Sequence, residues 1–290
     1  MAASDVVYFN YQAGGLEAVL LALQVLNRVP VIAGHHGALQ WYTSEPHVEH
    51  IKLLFAALGP RDIRIGRHLA AQHVTNTRDL ALLKRFGVTE YFQIPSAISC
   101  DEFGSQVKRR SFTMAFAGSF APQKGVDLLP EIVRLARERI PDAAFEFCGD
   151  GPFRAFLTEF GSDPNVRYLG FVTPRQKREL LASAHVYLLP SRHETFSKSA
   201  MEALASGTPV VAMRVAGVED YVVSGQNGFI VDTLAEFARA VDAVHSLWSG
   251  DLAGYERMSL KCLDTAREYD WSAVGPKLDS MISRVAKAST

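Results

Sequence analysis

Glu194 and Glu202, two carboxylates with seven residues between them, stand in the most informative stretch of this 290-residue sequence. Around the first, the run Pro190-Ser191-Arg192-His193 is polar and turn-forming and reads as a loop that leaves a strand at 186–189. A helix is predicted to begin near Ser197. Its free N–H groups and partial positive charge would make an anion site suited to phosphate. Glu202 falls inside that helix among Ala200, Met201, Ala203, Leu204 and Ala205, where an unpartnered carboxylate is costly to bury. Sugar or ribose hydroxyls would suit it, because an ionised carboxylate only accepts hydrogen bonds. Ser199 to Glu202 also fits a capping box, in which Glu202 would reach back to a backbone N–H and bind no ligand. Lys198, at the helix opening, reads either as a phosphate contact or as a solvated surface lysine.

The elements that must position these groups alternate between short β-branched or aromatic runs and longer stretches of helical period, as in βα units around parallel sheets. Strands are predicted at 6–9, 29–33, 74–76 and 91–94, with helices at 16–26, 48–58 and 79–86. A second, fuller series places strands at 113–117, 144–148, 166–169, 186–189, 209–212 and 229–231, each followed by a helix. Gly118, Gly149, Gly151 and Gly170 sit just past strand ends, on the carboxyl edge where open α/β sheets bind ligands. Turn geometry alone would also place glycine there. The tail carries an apolar stripe of helical spacing, Trp271, Val274, Leu278, Met281, Ile282 and Val285, which must cover something.

Composition narrows the function classes. Thirty Lys+Arg against thirty-one Asp+Glu leave a net charge of −1, so no global field favours a polyanion and nucleic-acid binding is not expected. Three scattered cysteines, Cys100, Cys148 and Cys262, suit neither a disulfide framework nor a cysteine zinc site, and point to a reducing cytoplasm. The apolar run at 18–26 is broken by Gln24 and is shorter than the roughly 20 residues a bilayer span needs. No Gly-x-Gly-x-x-Gly follows a strand, which speaks against a dinucleotide oxidoreductase.

The ordered motifs resemble the retaining, nucleotide-sugar-dependent glycosyltransferases of family four, which have the GT-B fold. The resemblance rests on Glu194-Thr195-Phe196 with Glu202-Ala203-Leu204-Ala205-Ser206-Gly207-Thr208-Pro209, on Gly118 with Lys124-Gly125, and on Cys148-Gly149-Asp150-Gly151-Pro152. Leu169-Gly170-Phe171-Val172, Gly217-Val218-Glu219 and Gly225-Gln226-Asn227-Gly228 extend it. It implies an α/β fold of two Rossmann-like, doubly wound parallel-sheet domains facing a cleft. Residues 1–110 would form a partial acceptor-side domain, 111–268 the nucleotide-sugar domain, and 269–290 a helix crossing back toward the first. Glu194 would contact the donor sugar, Glu202 the ribose, and Lys124 the diphosphate, with backbone amides from Thr195 through Ser197 and Lys198 to Ser199 cradling the phosphates. Gly118, Ser119, Gly149, Gly151, Phe171 and Val172 would line the donor site. Ser119 stands where the family often has an arginine, and Lys198 would compensate.

In Ala33-Gly34-His35-His36-Gly37 the resemblance selects His36 as the histidine lying against the donor sugar; on residue type alone, either imidazole could simply terminate a turn. No Asp-x-Asp occurs, as suits a metal-independent transferase with no cofactor beyond its nucleotide-sugar co-substrate. The histidines, His47 and His50 among them, share no metal-ligand spacing with cysteines or paired carboxylates. The resemblance also implies that about 70 to 90 residues of βα structure would precede Asp5 in a full Rossmann half. The first sheet would then have an uncovered edge unless the sequence is truncated, or the edge is closed locally, by self-association or by a partner chain. That raises the alternative of a non-catalytic or incomplete nucleotide-sugar-binding subunit. Expected acceptors are a glycan, a lipid-linked molecule or a small molecule. Lys52, Arg61, Arg64 and Arg67 interleave with apolar residues and read as a peripheral membrane face or a solvated one; the first 110 residues hold only eleven Lys+Arg against nine Asp+Glu.

Overall fold

The computed structural model describes residues 6–11, 17–36, 64–104 and 107–288. The chain divides into two compact units, Met1–Ala97 with Ser272–Thr290, and Ile98–Trp271. The first boundary falls earlier than the 110/111 expected from sequence, because the basic triplet is packed into the second unit. Lys108 Nζ donates to the carbonyls of Ala182 (3.1 Å) and Ala184 (2.7 Å) and to Thr208 Oγ1 (2.8 Å), at the carbonyl end of a helix where a cation is favoured. Arg109 pairs with the buried Glu146 carboxylate at 2.7 Å.

The first unit carries a parallel sheet in the order β1 (Val7–Tyr11), β2 (Val31–His35), β3 (Ala71–Val74) and β4 (Tyr91–Gln93). Helix α1 (Glu17–Asn27) covers one face, where Leu20 packs with Val31, Ala33 and Leu69. Helix α2 (Thr77–Arg85) follows β3. The sequence places that strand at 74–76, but the ladder ends at Val74, since the Asn76 side chain accepts from Asp79 N and caps the helix instead. Among the described residues, β1 has no strand on its outer edge. The helix expected at 48–58 and the residues His47, His50, Lys52 and Arg61 lie outside the described residues.

The second unit is a six-stranded parallel sheet in the order β10-β9-β8-β5-β6-β7, the doubly wound Rossmann order. Its strands are β5 (Thr113–Ala117), β6 (Ala144–Cys148), β7 (Val166–Gly170), β8 (Val186–Leu189), β9 (Val210–Met213) and β10 (Gly228–Val231). Alternation along each strand sorts the core. Met114, Phe116, Val186, Leu188 and Val211 face α3 (Leu129–Arg137) and α6 (Leu234–Gly250). Ala115, Ala117, Tyr187, Leu189 and Ala212 face α4 (Pro174–Ser183), α5 (Lys198–Ala205) and α7 (Leu252–Arg267). Capping boxes at Thr173/Gln176 and Thr233/Glu236 start α4 and α6. Not every strand is followed by an α-helix: a 3₁₀ segment, Arg154–Phe160, stands after β6, and the segment between β9 and β10 has none.

The terminal helix α8 (Trp271–Lys287) completes the first unit, burying Val274, Met281 and Val285 against Ile32, Ala71 and Ile94. The stripe read from sequence is narrower in fact, since Trp271 and Ile282 are exposed. No helix among the described residues is long and apolar enough to cross a membrane.

Candidate active site

Strand order in the second sheet reverses between β5 and β8, and the loops leaving the carboxyl ends of those two strands bound the crevice where such sheets bind ligands. Two close approaches lace the loops together. Gly125 adopts φ +65° at the end of the 3₁₀ turn Pro122–Lys124, and a Cβ there would lie 2.0 Å from Pro190 O. Gly149, at φ +129°, brings the loop after β6 so close that its Cβ would meet Gly118 O at 1.8 Å. Arg192 adds a bidentate pair with Asp127, both bonds 2.6 Å, and donates to Pro122 O at 2.8 Å.

This lacing sets Lys124 beside Glu194. The Lys124 ammonium donates to Glu194 Oε1 at 2.8 Å, and the Ser191 hydroxyl donates to the same oxygen at 2.8 Å. Glu194 is only 6% exposed, so two donors on one oxygen make its burial tolerable. A charged carboxylate and an ammonium are thus held side by side at the strand switch.

Helix α5 opens next to them. Ser197, its N-cap, sits in the left-handed region at φ 56° and ψ 86°, an uncommon conformation for a residue with a side chain, and makes no capping hydrogen bond. Tyr221 braces the turn from below by donating to Phe196 O at 2.6 Å. The Tyr187 hydroxyl links the end of β5 to the helix, bonding Ala117 O and Ser199 Oγ at 2.8 Å each. With no side-chain cap, the first-turn N–H groups remain available to an anion. Lys198 is exposed on the same turn.

Glu202 does not act as a capping-box residue. Lys177 of α4 holds its carboxylate, 2.9 Å from Oε1 and 2.7 Å from Oε2. Both acids of the spaced pair are therefore matched by a lysine. Ser119 is exposed at the tip of the loop after β5, and Phe171, 90% exposed, projects past the end of β7. Gly151 packs against Phe120 O, and Val172 lines a cavity of about 430 Å³ with Arg109, Glu146 and Arg167. Burial pushes the Cys148 thiol up to about 11, so it stays protonated near neutrality. Among the described residues, no three His, Cys, Asp or Glu side chains form a metal-holding group.

In the first unit, His35 is fully buried with Nε2 2.8 Å from Gln72 Oε1, while its neighbour His36 is half-buried at the carboxyl edge of β2. Sequence reasoning missed Lys177, the Arg192–Asp127 fork and Tyr221. Arg192 lay within the quoted loop and signalled itself by type. Lys177 and Tyr221 carry no local signal, because their roles come from helix and loop placement.

The fold is that of the GT-B glycosyltransferases. Structures similar to it include Anabaena Alr3699/HepE in complex with UDP, with a TM-score of 0.79 and 17% identity over 97% of this chain and 79% of that one. Sucrose-phosphate synthase from Thermosynechococcus elongatus gives a TM-score of 0.78 and 18% identity over 98% and 74%. Residues 111–246, which lie within the second unit, match the family described as glycosyl transferases group 1. The chain is 35% identical to the D-inositol 3-phosphate glycosyltransferase of Corynebacterium glutamicum (strain R) over 181 residues, 58% of this chain and 42% of that protein. It is 30% identical over 168 residues to the GtfA subunit of the UDP-N-acetylglucosamine–peptide N-acetylglucosaminyltransferase of Streptococcus parasanguinis, 55% of this chain and 33% of that one. The chain thus spans less than half the length of these two relatives.

Proposed function

We propose that this protein is a retaining glycosyltransferase that moves a sugar from a nucleotide-diphosphate sugar to a hydroxyl-bearing acceptor. The observation that carries this reading is the Lys124–Glu194 contact at the strand switch, beside an uncapped helix start, in a glycosyl transferases group 1 domain. Lys124 and the amides opening α5 take the diphosphate, Glu194 accepts from the sugar hydroxyls, and Glu202 accepts from the ribose diol. Gly118, Ser119, Gly149, Gly151, Phe171 and Val172 line the donor site. His36 is the histidine that the family resemblance sets against the sugar.

The chemistry follows from charge. As the bond from the anomeric carbon to the phosphate oxygen breaks, negative charge grows on the diphosphate, where the ammonium and helix amides are already oriented. One such interaction is typically worth about 2.7 to 4 kcal/mol in the transition state. No side chain is assigned as a double-displacement nucleophile. The acceptor oxygen therefore attacks from the face the diphosphate leaves, and its proton passes to the departing phosphate oxygen. In this reading no divalent cation is needed, which accords with the lack of an Asp-x-Asp in the sequence.

A thermal-shift panel of nucleotides and nucleotide sugars tests the donor site, because a ligand at a hundred times its dissociation constant stabilises by about 2.7 kcal/mol. Transfer or hydrolysis of the stabilising sugar, in EDTA, with the product anomer read by NMR, tests the rest. An inverted product or a loss of activity in chelator would overturn the corresponding part.

A further inference from the structure

Glu146 of β6 and Arg167 of β7 are neighbours in the strand register, and the cavity of about 430 Å³ beside them is walled on its other side by α4. Glu146 is 2% exposed, and each of its carboxylate oxygens is taken by a different guanidinium. Arg109 Nη2 donates to Oε2 at 2.7 Å, and Arg167 Nη1 donates to Oε1 at 2.8 Å. Two guanidiniums on one carboxylate leave a positive charge in excess. The other acid of the wall, Glu179, does not balance it, because Glu179 pairs with Arg175 at 2.8 Å.

Arg109 also has an unmet donor. Its Nε is buried and makes no hydrogen bond among the described residues. An N–H shut away from water without an acceptor is costly, so the arrangement is one acceptor short. The root of the side chain is fixed, since Arg109 N donates to Ser183 O at 3.1 Å. Leu169 and Leu180 give the same cavity an apolar wall, and its volume lies within the range of roughly 300 to 1,000 Å³ that small-molecule sites occupy.

The cavity is distinct from the donor site proposed above. The donor residues stand on loops past the carboxyl ends of the strands, whereas Arg109 precedes β5 and Ser183 ends α4, both toward the amino ends. Val172 is the residue common to both. Every lining residue belongs to the second unit.

We propose that this cavity is a binding site for a small organic anion. Its carboxylate or phosphate group accepts from the guanidinium N–H groups of Arg109 and Arg167 that Glu146 leaves free, and its apolar part lies against Leu169 and Leu180. The planar guanidinium fork matches either anion, and the excess charge supplies the attraction. The site stands independently of the reaction assigned to the protein.

Benzoate and phenyl phosphate, titrated into protein labelled at its leucine methyls, test the site, with sodium chloride at matched ionic strength as the reference. Saturable shifts are expected at Leu169 and Leu180. A response to benzoate alone assigns the site to carboxylates, and a response to phenyl phosphate alone assigns it to phosphate monoesters. Arg167→Gln changes a side chain that is 59% exposed, and Arg109→Lys keeps a cation for Glu146 while removing the planar fork. Each should weaken the bound probe about tenfold to a hundredfold, as for a lost hydrogen bond to a charged group. Urea midpoints report whether each variant folds, and Arg167→Gln suffices by itself should Arg109→Lys unfold. Lys124→Met, at the proposed donor site, should leave the dissociation constant unchanged. Shifts at Leu169 and Leu180 no larger than chloride produces, or an affinity unchanged in a folded Arg167→Gln, would overturn the proposal. So would binding that Lys124→Met abolishes and the arginine variants retain, since the anion would then sit in the donor site.

Discussion

Lys124 and Glu194, 70 positions apart in the chain, meet at 2.8 Å where the strand order of the second sheet reverses. The pair joins a residue of the loop after β5 to one of the loop after β8, so neither loop builds the contact alone. Lys124→Met leaves a carboxylate that is 6% exposed with Ser191 as its remaining donor among the described residues, and removes the charge proposed to face the diphosphate. The expected outcome is a loss of about a hundred- to a thousandfold in kcat/KM for the nucleotide sugar, measured at saturating acceptor.

Glu202 is expected to act on binding rather than on turnover. Glu202→Gln weakens the acceptor proposed for the ribose hydroxyls and should raise the donor KM about tenfold, as for a hydrogen bond to a charged group worth about 1.5 kcal/mol or more. kcat should stay near the wild-type value. Lys177→Met should raise the same KM, while its effect on stability stays within about 1 kcal/mol because the ammonium is partly solvated. Steady-state kinetics with the donor varied, alongside urea unfolding, separates the two.

Gly125→Ala tests the lacing of the loops. Its Cβ would lie 2.0 Å from a backbone oxygen, and its φ of +65° disfavours any side chain. The substitution should cost about 1 to 3 kcal/mol in unfolding free energy, the range for backbone strain. It should also weaken donor binding, since Lys124 is the preceding residue.

Stability should fall on mild acidification. Burial holds the pKa of His35 and His73 near 4 and that of His185 near 3, against 6.5 for an ordinary histidine. These rings fold neutral, so below pH 6.5 the unfolded chain takes up protons that the folded chain refuses. Their contribution is complete above that pH and is lost as pH falls from 6.5 toward 4 and 3. Each ring adds a slope approaching about 1.4 kcal/mol per pH unit within that window. Urea midpoints between pH 7 and pH 5 measure it, and His35→Gln should flatten the curve of the first unit.

Much of the second unit was legible before its structure. The strands at 113–117, 144–148 and 186–189 coincide with those observed, because short apolar runs carrying aromatic or β-branched residues between turn residues have few other ways to satisfy their backbone. The strand at 74–76 is misplaced by contrast, since Thr75 is a strand-type residue, whereas Asn76 caps the helix that follows, with Asn76 Oδ1 accepting from Asp79 N. The helix start near Ser197 was readable too, but not its left-handed N-cap, which Tyr221 braces from a distant loop.

The chain's order of residues sufficed for element type, for the alternating faces of the strands and for the acids and lysines available for chemistry, since each depends on neighbours within a few positions. It could not say that Lys177 rather than a backbone amide would take Glu202, or that Tyr8 would reach His73 across the bare backbone of Gly34. Those pairings join residues 25 and 65 positions apart. They exist only once parallel strands stand in register and helices pack at one sheet edge, because hydrogen bonds act over about 3 Å and only the assembled fold brings such groups that close.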